Sequence, residues 1–278
     1  MRNLFAGSPE FRRLLDGDSS VSLSRIALEI ASDAYPNLDI ERHLSRLASL
    51  TERVRVRCPS DAKPRVILGH VNWVLFIEEG FRGNDAEYDD PRNSYLNDVL
   101  DRKTGIPISL SVLYAAVAEP LGVSLAGVNL PAHYVLRLET ADPPLFVDAY
   151  HSGAFLDREA CERQVSTVVG RPIRLSDAQF APCSASTIVA RMLRNLKAIH
   201  VRSDDYASAL PVARRSAALD PNNFDDQRDW GLLAYKSGRP GEAVEPLARY
   251  REARPVAEDA EVVHQLLRAA RRDVAQSN

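Results

Sequence analysis

From Ile106 to Leu121 the chain offers almost no polar face. Leu110, Leu113, Tyr114, Val117 and Leu121 recur at helical spacing, and the opposite side, Ser111, Val112, Ala115 and Ala116, is only weakly polar. A helix that is apolar nearly all round is buried between layers. The segment therefore predicts a central helix with other elements packed around it. Pro107 suits its first turn, where the missing N–H has no intrahelical partner to lose, and Gly122 suits its C-terminal stop. The helix is too short to cross a membrane. Its uninterrupted apolar run, Leu110–Ala118, ends at Glu119-Pro120, whereas a spanning helix needs about 20 residues.

Residues 1 to about 100 read as helices. Leu23, Ile26, Ala27, Ile30 and Ala31 fall at i, i+3, i+4, i+7 and i+8, and Tyr35-Pro36 ends the pattern. Asp39 predicts the N-cap of a helix carrying Leu44, Leu47 and Val54. Ser60 or Asp61 is expected to cap the next helix, with Pro64 in its first turn and Gly80 at its stop. After the polar loop RGNDAEYDDPR, Asn93 or Ser94 is expected to cap a short helix, SYLNDVLDRK. Beyond Gly122 the period changes. VSLAGVNL, HYVLRLE and PLFVDAY predict a small antiparallel sheet, with the turn TADPP between the last two. HYVLRLE alternates, with Tyr134, Leu136 and Leu138 on one face and Val135 and Arg137 on the other. Residues 151–185 read as short helices and loops.

The C-terminal section is helical and repeats. Asp220-Pro221 ends one helix pair and Arg254-Pro255 the next, 34 residues later. At the same offset Ala198 superposes on Leu232, Ala209 on Ala243, Leu210 on Val244 and Leu219 on Ala253. Trp230-Gly231-Leu232-Leu233, Gly238 and Ala243 resemble the tetratricopeptide pattern, which has this period. Two repeats and a terminal helix are too few for a free solenoid, so they are expected to pack against the first domain. The boundaries expected are 1–185, with a core at about 90–185, and 186–278.

The net charge of -3 gives no strong field toward nucleic acid or an anionic membrane. The repeat section carries 15 Lys/Arg and 13 Asp/Glu, the balance of a solvated face. MRNLFAGSPEFRRLL is too charged for a signal peptide, so a cytoplasmic location is expected. Cys58, Cys161 and Cys183 are far apart and odd in number, which argues against a disulfide framework. They read as buried or incidental thiols. The six histidines show neither HxH nor HExxH spacing, and no glycine-rich phosphate loop is present. On spacing alone, no metal or cofactor is expected, although His151 lies close to Asp148 in sequence.

Three elements line up in order: Gly105-Ile106-Pro107 at a helix start, His133 at a strand start and Asp148 in the next strand. This is the layout of a papain-like thiol site. There the helix N-terminus lowers the nucleophile's pKa, histidine is the base and the acid orients it. Asp148 lies in the apolar run LFVDAY and needs a partner if buried; His133 is the natural one. The pair has two readings, a retained structural contact or an acid–base or binding site. Ser109 and Ser111 are candidate nucleophiles for His133, and Ser109 is equally a residue for bonding local backbone. Asn72, Asn84, Arg92, Asn93, Tyr95 and Asn97 serve caps and turns or line a pocket beside His133. Asn93, Tyr95 and Asn97, with Tyr114 on the central helix, are the binding candidates.

YDDPRNSYLNDVLDRKTGIPISLSVLYAAVAEPLG, GVNLPAHYVLRLE and FVDAYHSG closely resemble the bacterial transglutaminase-like proteins of the SirB type, as does the upstream NWVLFIEEGFRGN. The resemblance covers roughly residues 20–255. It implies an α+β fold: a helical N-terminal region, a transglutaminase-like (papain-like) core with a central helix and small antiparallel sheet, and a tetratricopeptide tail. In that superfamily a Gly-x-Cys opens the central helix; here the cysteine position falls at Pro107, which has no thiol, hydroxyl or amine. Thiol chemistry there is excluded. The expectation is a non-catalytic or degenerate scaffold that binds a protein or peptide through the repeats. The alternatives are a hydrolase or amidase using His133 and Asp148 with a serine or water, and a small-molecule sensor using the vacated cleft.

Overall fold

The apolar segment forms a helix, Pro107–Ala118, in which every residue but Ala116 is buried. In this computed structural model, which describes residues 5–139 and 142–277, it is the sixth helix, α6. The N-terminal residues 1–4 and part of the expected turn at 140–144 lie outside the described residues. Four of the preceding helices pack against α6: α2 (Leu23–Ala31), α3 (Ile40–Arg57), α4 (Pro64–Asn72) and α5 (Leu96–Arg102). A first helix, α1 (Pro9–Leu15), packs on α2. Asp39 caps α3 as expected, accepting the Arg42 amide at 3.0 Å.

Two expected caps are displaced. Helix α4 opens at Pro64 with Lys63 at the N-cap, not Ser60 or Asp61, because a proline at the first position removes one of the donors a cap would satisfy. Helix α5 opens at Leu96 with Tyr95 at the N-cap. Pro91–Asn93 instead forms a separate 3-10 turn capped by Asp90, which accepts the Arg92 amide at 2.9 Å. After α4 the chain widens into a π turn, Trp73–Glu78, and leaves it through Gly80 at φ 72°. A two-residue strand β1 (Arg82–Gly83) then pairs in parallel with β2 (Thr104–Gly105), just before α6.

The main sheet has four antiparallel strands in sequence order: β3 (Leu125–Val128), β4 (Val135–Leu138), β5 (Leu145–Asp148) and β6 (Ala154–Leu156). Strand β6, with only three residues, fell inside the stretch read as short helices and loops. Strands β3 and β4 pack on α6. Val128, Val135 and Phe146 cluster instead with Cys161 and Val165 of α7 (Arg158–Val169). Alternation along β5 puts Asp148 on the same face as Phe146. Asp157 caps α7, accepting the Ala160 amide at 2.7 Å.

The chain forms two compact units, residues 5–192 and residues 193 onward, the division falling within α8 (Ala185–Arg202). The second unit contains α9 (Tyr206–Leu219), α10 (Phe224–Lys236), α11 (Pro240–Ala253) and α12 (Ala260–Ser277). Helices α9 and α11 end 34 residues apart, matching the period of the sequence. The superposing pair Ala209 and Ala243 is fully buried in one core with Trp230, Leu247, Tyr250 and Leu267. Gly231 lets α10 and α11 meet closely, since a Cβ there would lie 2.5 Å from Leu247 Cγ.

Candidate functional site

Asp148, the last residue of β5, has a side chain with 0% exposure. Its Oδ1 accepts the backbone amides of Tyr150 at 3.0 Å and His151 at 3.2 Å, which shapes the turn into β6. Its Oδ2 lies 2.8 Å from His133 Nε2 and 2.8 Å from His151 Nδ1. Gln164 of α7 adds a third contact to Oδ2 through Nε2, which also lies 2.6 Å from His151 Nδ1. Burial pushes the Asp148 carboxyl up, but the hydrogen bonds from His133 and His151 outweigh it and hold the group well below the usual carboxylate range. The same contact raises the His151 imidazole.

His133 is 3% exposed, whereas the His151 side chain is 54% exposed. Solvent therefore reaches this cluster through His151. The Tyr150 ring packs edge-on against both histidines and anchors its hydroxyl on Asp85 Oδ1 at 2.6 Å. It also lies against Gly83, where a Cβ would be 2.6 Å from the ring. Gly83 pairs with Gly105, so the turn that leads into Pro107 is tied to the histidine cluster through Tyr150. Pro107 itself is buried at the first position of α6.

Ser109 is 2% exposed and bound to backbone. Its hydroxyl donates to the Asn93 carbonyl at 2.6 Å and accepts the Ile106 amide at 3.1 Å. Ser111 is also buried, and its hydroxyl has no hydrogen-bond partner among the described residues. It borders a cavity of about 290 Å³ between α6 and the sheet, lined also by Val112, Tyr134, Leu136 and Cys183. Burial pushes Cys161 up to about 12 and raises Cys58 and Cys183 as well, and only the thiolate is reactive.

The four binding candidates are buried. Asn93 ties the preceding loop together, accepting from Asn84 at 3.1 Å and donating to the Glu87 carbonyl at 2.6 Å. Tyr95 packs edge-on against Tyr35, and Asn97 lies on α5 with a buried, unpartnered Oδ1. Tyr114 donates to Asn72 Oδ1 at 2.8 Å, and Asn72 Nδ2 donates in turn to the Gly153 carbonyl at 2.9 Å. The central helix is thus linked to the turn that carries Asp148 and His151.

Sequence reading brought His133 and Asp148 together. It did not place His151 or Gln164 in the cluster. The spacing D-x-x-H in Asp148-Ala149-Tyr150-His151 was the available signal for the first; Gln164 is brought in only by the packing of α7. His133, Asp148 and His151 offer three donor atoms within 4.8 Å of one another.

A central helix followed by a sheet that carries a buried His–Asp pair defines a class. The chain belongs to the transglutaminase-like superfamily, matched over residues 41–194, and carries tetratricopeptide repeats, matched over residues 196–268. More narrowly, it belongs to the UPF0162 family. A UPF0162 protein of Xylella fastidiosa is 35% identical over 88% of this chain and 89% of the relative. The F-box only protein 21 of Mus musculus is also similar, 35% identical over 60% of this chain and 27% of that longer protein. Menin is similar among solved structures, with a TM-score of 0.42 and 12% identity over 92% of this chain and 72% of menin.

Proposed function

We propose that the protein is a non-catalytic transglutaminase-like scaffold that binds a protein or peptide partner through its repeat helices. The observation that carries this reading is Pro107, a residue without nucleophilic chemistry, buried where the superfamily opens its central helix with a thiol. The repeats supply the means of association, since stacked helix pairs present extended binding surfaces. On that unit Asp225, Arg228, Arg254, Asp259 and the exposed Val262 line a groove of about 520 Å³ with both signs of charge. The test uses the full chain. Partners captured by the tagged protein are purified and titrated against wild type and the double variant Arg254→Glu, Val262→Asp. At least about a tenfold weakening is expected, the loss of one good interface anchor. Equal affinities would remove the groove from the reading.

A second reading, a hydrolase or amidase of altered mechanism, is favoured by the His133–Asp148 hydrogen bond at 2.8 Å. It would use water or a serine in place of the thiol. Broad substrate profiling of wild type beside His133→Ala separates the two. An activity lost in the variant at unchanged melting temperature would replace the scaffold reading.

A further inference from the structure

The hydrogen bonding around Asp148 Oδ2 does not close. Asp148 Oδ2, His151 Nδ1 and Gln164 Nε2 all touch one another. If His151 Nδ1 carries a proton, it donates to the carboxylate but confronts the donor amide of Gln164. If it carries none, it accepts from Gln164 but sets a lone pair against the carboxylate oxygen. Turning the Gln164 amide over only moves the conflict, because its oxygen would then face Asp148 Oδ2. With Asp148 ionised, no single proton arrangement satisfies all three contacts. Gln164 Oε1, meanwhile, is buried without a hydrogen-bond partner among the described residues.

A cation removes the conflict between the carboxylate and the imidazoles, because Asp148 Oδ2 and both ring nitrogens then present lone pairs to the same centre, and Gln164 can turn its amide oxygen to face it. The geometry points to a binding site for one divalent transition-metal ion, of the zinc class, held by His133 Nε2, Asp148 Oδ2 and His151 Nδ1. The three atoms already lie within 4.8 Å of one another, with 2.8 Å from Asp148 Oδ2 to each histidine nitrogen. Tetrahedral ligation at metal–ligand lengths of about 2.0–2.1 Å sets the donors about 3.4 Å apart. Both 2.8 Å separations therefore widen by about half an ångström: the half-exposed His151 can swing outward for one, and the buried His133–Asp148 pair must open by the same amount for the other. Two imidazoles and one carboxylate suit a borderline ion better than calcium or magnesium, which take oxygen ligands. The fourth position falls to Gln164 Oε1, after its amide turns over, or to water. The support around the site is in place: two backbone amides hold Asp148 Oδ1 and aim Oδ2 at the histidines. The inference is independent of the scaffold reading, since an ion can order the β5–β6 turn in a binding protein as readily as in an enzyme.

The test is titration of chelator-treated, full-length protein with Co(II), followed by visible absorption and isothermal calorimetry, with Zn(II) as competitor. The expected result is one Co(II) per chain with the intense bands of a four- or five-coordinate site, displaced by Zn(II). His151→Ala, at an exposed position, should keep the fold and weaken binding by at least tenfold. A bound ion undisturbed by His151→Ala belongs to another site on the chain and overturns the proposal. Absence of stoichiometric binding to folded wild type overturns it equally. Asp148→Asn serves as a second variant: if folded, it should bind no Co(II), and tight binding by it counts against the site.

Discussion

Two serines two residues apart in α6 should respond differently to alanine. The Ser109 hydroxyl donates to the Asn93 carbonyl at 2.6 Å and receives the Ile106 amide at 3.1 Å, in an environment 2% exposed. Removing it deletes a capping contact worth about 1 kcal/mol and a buried hydroxyl–carbonyl bond worth about 1 kcal/mol. The Ile106 amide keeps a longer bond to Asn93 O, at 3.3 Å, so neither backbone group is stripped completely. The loss in Ser109→Ala should be about 2 kcal/mol, or about 4–8 °C in melting temperature for a unit of this size. Ser111 is 0% exposed, and among the described residues its hydroxyl has no hydrogen-bond partner. An unsatisfied buried hydroxyl costs about 1–3 kcal/mol, and alanine removes it at the expense of one small void. Ser111→Ala should therefore be neutral or stabilise by up to about 1 kcal/mol. Urea unfolding of both variants beside wild type decides the matter. A neutral Ser109→Ala, or a Ser111→Ala that loses more than about 1 kcal/mol, would mean that the hydroxyls are not bonded as described. In that case Ser109 would regain its claim as a nucleophile.

Three further outcomes follow from particular contacts. Gly231→Ala should destabilise the repeat unit by about 1–3 kcal/mol in denaturant unfolding, because the added Cβ lies 2.5 Å from Leu247 Cγ and 3.2 Å from its backbone nitrogen. Gly153→Ala forces alanine to φ 72° and drives its Cβ to within 2.0 Å of Asn72 Oδ1. The expected loss is about 2–3 kcal/mol, and it should be less than additive with Asn72→Ala in a double-mutant cycle. Burial holds the His200 imidazole below its ordinary value of 6.5, against the opposing pull of Asp205. The unfolded chain then takes up a proton at a higher pH than the folded one. This contribution is absent above pH 6.5 and destabilises as pH falls below it. Urea midpoints measured between about pH 7.5 and about pH 5 should fall less in His200→Gln than in wild type.

The parts of the fold legible in the sequence are those governed by near neighbours. The all-apolar face of Ile106–Leu121 made α6 a buried helix. The period-2 pattern of HYVLRLE placed Val135 and Leu136 on opposite faces, and the 34-residue offset located the ends of α9 and α11. What was not legible depends on distant contacts. Strands β1 and β2 have two residues each and pair across 22 positions of sequence, which no local periodicity records. Strand β6 exists because Phe146 and Val147 supply its partners, not because Ala-Phe-Leu prefers to extend. The candidate site divides in the same way. His133 and Asp148 sit on neighbouring strands and were paired from their order alone. Gln164 joins them only because Cys161 and Val165 bury one face of α7 against the sheet and turn that residue toward Asp148.

The buried histidine–aspartate pair has a structural cause in Asp148. Its two oxygens face two backbone amides, two imidazoles and one amide side chain. The amides at Tyr150 and His151 set the turn that delivers Gly153 to Asn72, and through Asn72 to Tyr114 of the central helix. Replacing the carboxylate with an apolar side chain would leave buried donors unpaired, at a cost of about 1–3 kcal/mol for each. The nucleophile position carries no such burden: proline fits the first turn of α6 and leaves no donor behind. Pro107 is therefore compatible with this framework, whereas loss of the Asp148 carboxylate would strip several donors of their partner. The pair is explained first by folding, and any binding of an ion at His151 is built on a carboxylate that the fold already needs.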